Sequence, residues 1–501
     1  MKGAGGYIAA NGIRRMAQFD RSLGLLDAVM LVAGSMIGSG IFIVSAGMLR
    51  GLGSPAWMLV AWVVAGALTV LAALSYGELA GMMPHAGGQY VYIQRAFGKL
   101  PSFLYGWTFF TVINSGIVAA VAVAFAKFSA VFFPVLAPEN VLVHLFTLPG
   151  EKPTSVDIST AQVYAVCTII LLSWFNARGV RHAKTLTTVF TLAKVVAVLA
   201  LIAVGLTVGV GSGQLTQNFS VGWNASSISD QGLVTPLTGI ALLSALGVAM
   251  VGSLFSSDGW NSVTFIAGEI KRPQRNIPLS LFFGTLIVTA LYVLANITYL
   301  CLLPNDGIQH AAADRVGTAA AEVIMGDKAV WVMAALIMVS TFGCINGYVL
   351  VGPRLCYAMA KDGLFFKRAG TLSAHGVPSW ALWLQCAWAS LLCFSGRYND
   401  LLNYTTFASL LFYVVTISGL FILRKREPNA ERPYRAFGYP VIPLLYIGCA
   451  LAFCVNLLID PTTRIYAAIG LGIVALGGVV YFASGMHRAT PSVFTSPEGA
   501  K

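Results

Sequence analysis

Apolar residues gather along this chain in about twelve runs, separated by short polar stretches. They lie near 26–49, 56–80, 102–133, 161–178, 184–210, 236–268, 279–303, 329–358, 379–397, 401–423, 440–459 and 465–486. Runs of this length match helices that cross roughly 30 Å of hydrocarbon. The longest gaps, near 134–160, 212–235 and 304–328, hold about 25 residues each, too few for a soluble domain. The pattern predicts an all-α integral membrane protein of about 12 helices. It divides into an N-terminal cytoplasmic segment 1–25, a transmembrane domain 26–486 and a cytoplasmic tail 487–501. The first 25 residues are polar and basic, so no cleavable signal peptide is expected.

Two of the runs are poor helix material. Within the first, Gly34-Ser35-Met36-Ile37-Gly38-Ser39-Gly40 packs three glycines and two serines into seven positions. In hydrocarbon a broken helix leaves backbone groups unpaired at several kcal/mol each, so such a break belongs where the backbone lines a cavity. The sixth run is interrupted in the same way at Gly252-Ser253-Leu254-Phe255-Ser256-Ser257-Asp258-Gly259-Trp260-Asn261. Counted as helix, Ser39 lies about 18 Å from Asp27 and Asp258 about 16 Å from Glu269. Two breaks at one depth, in helices running in opposite directions, predict a 5+5 inverted repeat with broken helices 1 and 6, plus two C-terminal helices. Glycine-lined packing faces are the plainer alternative.

Composition agrees: 57% of residues are hydrophobic and 10% charged, against about 25% charged in soluble proteins. The net charge of +12 does not point to nucleic acid, because its distribution follows the loops. With the N-terminus inside, 23 of the 31 Lys and Arg fall on the cytoplasmic side, 6 outside and 2 within spans. Asp and Glu split 8 inside, 10 outside and 1 within a span, which is the signature of the positive-inside rule. Localisation in the plasma (inner) membrane follows, with both termini cytoplasmic and the tract Arg424-Lys425-Arg426, Arg432 and Arg435 beside membrane lipid. The eight cysteines lie in apolar segments, without Cys-x-x-Cys pairs, and read as packing residues. No metal or cofactor set is present. Asn218 and Asn224 are sequons in an outer loop.

Gly34 to Phe42 resembles the helix-1 signature of the amino acid–polyamine–organocation superfamily. Pro84-His85-Ala86-Gly87-Gly88-Gln89-Tyr90, then Phe97-Gly98, resembles the loop after helix 2 in that superfamily. Phe255 to Asn261, followed by Gly268-Glu269 and Pro273, looks like its L-type amino acid transporter (LAT) branch, and Phe342 to Gly347 through Arg354 resembles helix 8. The resemblance implies ten core helices plus two, with sodium-independent amino acid transport, often by exchange. Animal LAT light chains carry a cysteine between helices 3 and 4 that bonds a heavy chain. None occurs near 134–160, so no disulfide-linked heavy chain is expected. Asp258 departs from the glycine of animal members, which leaves the substrate's charge type open.

The resemblance also places the site. N–H groups at Ser39 and Gly40, with Ile41 beside them, suit a substrate carboxylate, as does the positive end of the following half-helix. Carbonyls near Met36 and Phe255 suit the ammonium. Phe255 occupies a gate position, or simply packs. Lys194 lies 10 residues from Lys184, about 15 Å deep, beyond the reach of snorkelling. A central lysine costs about 2.5–3.5 kcal/mol to insert, so it must face a polar interior. The family sets this lysine against helix 1 where sodium-coupled relatives hold sodium; an ion pair is the alternative. Asp258 is a candidate N-cap or a hydrogen-bond acceptor for a substrate amine, and Tyr292 matches a family tyrosine near the substrate. Asn114 and Asn346 are read as helix–helix hydrogen-bond partners.

The leading expectation is exchange of neutral L-amino acids by alternating access. A cationic amino acid or polyamine antiporter and a proton-coupled importer stay open. No nucleophile–base pair supports an enzyme, no charge ring a channel, and no Walker sequence direct use of ATP.

Overall fold

A computed structural model describes residues 21–148, 154–228, 234–394 and 398–488. The expected cytoplasmic segment up to residue 20 and the tail beyond 488 lie outside the described residues.

The first run is two helices, α1 (Leu25–Met36) and α2 (Gly40–Leu52), bent by 42° at the glycine–serine break. Helix α2 stops at Gly53, whose φ of 61° suits a residue without Cβ. Pro55 then opens α3 (Pro55–Met82), where a missing N–H costs nothing. A short α4 (Gln89–Phe97) leads into α5 (Lys99–Ser129), which carries a π turn at Phe109–Ile113. Ser159 and Gln162 form a capping box at the start of α6 (Thr160–Ala177). There follow α7 (Val180–Gly209), α8 (Gly239–Ser256), the four-residue α9 (Ser262–Phe265), α10 (Pro273–Leu302), α11 (Val316–Met325) and α12 (Lys328–Lys361). The last four are α13 (Ser379–Leu392), α14 (Tyr398–Arg426), α15 (Val441–Ile459) and α16 (Arg464–Ala483).

Among the described residues, ten helices are long and apolar enough to cross a membrane, or eleven if α1 and α2 form one bent span. The ninth expected segment appears as the 14-residue α13.

The structure adds detail in three places. Two short antiparallel hairpins accompany the helices without changing the all-α class: Val141–Leu148 with Thr154–Ser159, and Ala225–Ile228 with Val234–Leu237. The first hairpin alternates β-branched residues, which suits strands, and both are too short to register as spans. The inner part of helix 6 is mostly turn. Only Ser262–Phe265 is α-helical and Ala267–Glu269 is a 3-10 turn, so a rise of 1.5 Å per residue does not measure depth there. Asn218 is buried, its Nδ2 donating to Leu300 O and Leu303 O at 2.8 Å each, so it cannot carry a glycan; Asn224 is exposed.

Helix α1 is packed on α7, α10 and α12, while α2 lies along α8 and α3 along α10. The two breaks are therefore enclosed at the centre of the bundle. Every residue from Leu31 to Phe42 is buried.

Candidate functional site

The break after α1 exposes carbonyls that α1 cannot use itself, and neighbouring helices take them up one by one. Lys194 of α7 is 1% exposed and donates from Nζ to Gly34 O at 2.5 Å, Ile37 O at 2.7 Å and Ser340 O at 3.4 Å. The ammonium is thus held by carbonyls of the α1 break and of α12, and Lys194 makes no ion pair among the described residues. Gly34 is what lets α7 come so near. A Cβ there would collide with Thr191 Oγ1, one turn before Lys194. Ser340 of α12 donates to Ile37 O at 3.0 Å and Gly38 O at 3.3 Å, and Cys344 Sγ to Ser35 O at 3.2 Å.

The second break stands directly against the first. Gly40, the first residue of α2, packs on Ser256, the last of α8; a Cβ on Gly40 would lie 2.9 Å from Ser256 Cβ. The Tyr292 hydroxyl lies between the two broken ends, 2.9 Å from Met36 O and 3.0 Å from Ser256 O. One proton serves both carbonyls in turn, so each keeps acceptor capacity. Ser39 is the buried N-cap of α2, and Ile41 lies in its first turn with its carbonyl 3.4 Å from the Tyr299 hydroxyl. Phe255 is 9% exposed, and its carbonyl accepts the Asp258 N–H at 3.0 Å. Gly259 closes this turn with φ +83°, and a Cβ there would lie 3.2 Å from Ser35 Cβ.

The structure brings Met36, Gly40 and Tyr292 together, with Ser39 and Ile41 on the same turn and Lys194 behind them. It sets Asp258 apart. The N-cap of α9 is Asn261, so the capping reading of Asp258 is wrong. Its carboxylate instead turns to α14, accepting from the Tyr413 hydroxyl at 2.5 Å and from Ser409 at 3.3 Å. A cavity with room for about one water lies beside it, lined by Gln89, Tyr105, Tyr348 and Tyr413 among others. Asn346 Oδ1 accepts from Asn176 Nδ2 at 2.7 Å, tying α12 to α6, whereas Asn114 Oδ1 is buried with no hydrogen-bond partner among the described residues.

A family profile described as "Amino acid permease" matches residues 23–479 of this chain, a span that includes both breaks, Lys194 and Tyr292. The chain belongs to the amino acid permease family. Among this permease's relatives, the human b(0,+)-type amino acid transporter 1 is 29% identical over 436 residues, covering 86% of this chain and 81% of the relative. The human Large neutral amino acids transporter small subunit 2 is 29% identical over 477 residues, covering 95% and 82%. The mouse Asc-type amino acid transporter 1 is 28% identical over 480 residues, covering 94% and 82%. The permease is an integral membrane amino acid transporter and not an enzyme.

Sequence reasoning missed several partners in this permease. Ser340 and Cys344 on α12, and Ser409 and Tyr413 on α14, are each four residues apart, which places each pair on one helix face. That spacing on otherwise apolar helices was a readable signal. The buried pair Arg354 Nε–Glu269 Oε1 (2.8 Å) was not singled out. It joins α12 to the end of the helix-6 segment, where Leu23 N–H donates to Glu269 O at 3.1 Å and Lys271 N–H to Leu23 O at 2.8 Å. Breaking one partner of such a pair strands a buried charge at about 3–5 kcal/mol. Arg354→Ala is therefore expected to lower the thermal midpoint of the detergent-purified permease far more than Arg368→Ala, an exposed control, in a tryptophan-fluorescence melt.

Proposed function

We propose that this permease exchanges neutral L-amino acids by alternating access, independently of sodium. The observation that carries this is the meeting of two broken helices: the first residue of α2, Gly40, packs on Ser256 at the end of α8, and the Tyr292 hydroxyl bridges the carbonyl ends of α1 and α8. The substrate carboxylate sits on the N–H groups of Ser39, Gly40 and Ile41, where the helix dipole favours an anion. The ammonium takes the remaining acceptor capacity of Met36 O and of the carbonyls at Phe255 and Ser256. Phe255 covers the substrate, and Lys194 serves as a fixed cation that holds the unwound turn. The two breaks belong to a 5+5 inverted repeat within twelve helices. Opening toward the cytoplasm must part the Leu23–Glu269–Arg354 contacts. The chain lies in the plasma (inner) membrane with both termini cytoplasmic and works without a disulfide-linked heavy chain.

A second reading rests on Asp258. Its half-buried carboxylate accepts from the Tyr413 and Ser409 hydroxyls and from the Gly259 N–H, and it makes no ion pair among the described residues. A cationic substrate side chain is the counter-charge that site lacks. Counterflow in proteoliposomes separates the readings. Unlabelled neutral amino acids inside should drive uptake of a labelled neutral one, and Asp258→Asn should leave that exchange within about threefold, because its hydroxyl partners bond an amide as well. If only arginine, lysine or polyamines drive counterflow, and Asp258→Asn abolishes it, the neutral reading fails.

A further inference from the structure

The end of α14 and the start of α15 form a second polar feature, on the face that carries most of the chain's arginine and lysine. Glu78, fully buried at the end of α3, accepts Nε at 2.9 Å and Nη2 at 2.5 Å from Arg424 and Nε at 3.1 Å from Arg432, and its Oε2 accepts the Ala436 N–H at 2.7 Å. This fixes the two guanidiniums in place. Arg432 spends its other nitrogens on carbonyls of 423–430, so its task is to hold the loop. The Arg424 guanidinium carbon stands over the Tyr439 ring, 3.7 Å from its centroid, and Nη1 makes no hydrogen bond among the described residues. Arg435 is exposed and makes no hydrogen bond or ion pair among the described residues. Arg424, Arg432 and Arg435, with Pro428, line an open pocket of about 210 Å³.

Three arginines against one carboxylate leave the pocket net cationic, and guanidinium forks suit phosphate oxygens. Its surroundings distinguish the source of that phosphate. Phe437 and Val441 are each 68% exposed, and Leu444 and Leu445 54% and 52%, all within a few residues of Arg435 or Tyr439. A soluble phosphate has no use for exposed apolar residues so near in sequence, whereas acyl chains do.

We propose that this pocket binds the phosphodiester of an anionic phospholipid, with Arg424 Nη1 and Arg435 as donors and Phe437 and Val441 beneath the acyl chains. The lipid would brace the junction of α3, α14 and α15. The inference needs the chain to be membrane-embedded but does not depend on its substrate.

Native mass spectrometry of the detergent-purified full-length protein tests it, with phosphatidylglycerol and phosphatidylcholine as probes. Phosphatidylglycerol should be retained preferentially, and Arg435→Gln should weaken that retention about fivefold, the value of one arginine at a lipid headgroup. Lys425→Gln removes the same charge from an exposed neighbour outside the pocket and should change little. Equal retention of the two lipids overturns the proposal. So does equal weakening by both variants, which would mean diffuse surface charge. Displacement of phosphatidylglycerol by equimolar glycerol 3-phosphate would assign the pocket to a soluble phosphate and overturn the lipid reading.

Discussion

Lys194→Ala is expected to reduce exchange about 100-fold in proteoliposomes while the protein stays monodisperse. The substitution leaves Gly34 O and Ile37 O without the donor that now reaches them at 2.5 and 2.7 Å. Hydrogen bonds to a charged group are worth about 1.5–3 kcal/mol each, and the break has no water to replace them. Losing about 2.7 kcal/mol of the preference for the competent geometry is a factor of about 100. Lys194→Met keeps the stem and its packing without the donor, so it should fail nearly as badly if the ammonium matters. Lys194→Arg should rescue poorly, since a planar fork does not reproduce a compact charge set between carbonyls. Replacing sodium by choline should leave the wild-type rate unchanged, because the cation position is already filled. Stimulation by an inward proton gradient, lost in Lys194→Met, would instead support proton coupling. A Lys194→Ala variant with wild-type rates removes this residue from the mechanism.

Local composition made the breaks legible. Glycine and serine at 34–40 are poor material for a spanning helix, and the chain does bend there, while the apolar residues around Lys194 announced a buried ammonium. What these groups touch was not readable in the same way. Asp258 seemed a cap because capping considers only near neighbours in sequence, but Tyr413 and Ser409 come from a helix about 150 residues later. The inner part of helix 6 looked helical because hydropathy does not register φ. Gly259 at +83° and the turns up to Ile270 undo the helix while leaving the residues apolar and buried. Asn218 fits a sequon by pattern alone, yet its amide is committed to the end of α10. Tertiary hydrogen bonds decide each of these cases, and a single sequence holds them only as helical spacing.

Gly40→Val is expected to abolish transport, and its rescue pattern decides why. Gly40 meets Ser256 so closely that any Cβ would lie 2.9 Å from Ser256 Cβ and nearer still to its hydroxyl. Overpacking of this kind costs about 1–3 kcal/mol and would push the two broken ends apart. A second effect is independent of Ser256. Side chains in an α-helix lean toward its N-terminus, so a residue at the first position of α2 leans over the N–H groups proposed to hold the carboxylate. Ser256→Gly separates the two, because it deletes the crowding atoms and leaves Ser256 Cα at 3.3 Å as the nearest remaining contact. The double variant Gly40→Val/Ser256→Gly should therefore regain thermal stability without regaining exchange, and Ser256→Gly alone should still transport. Non-additivity in stability with additivity in transport is the signature expected of two separate effects at one residue. Recovery of exchange in the double variant would show that Gly40 matters only for packing, and the carboxylate would then have to bind elsewhere.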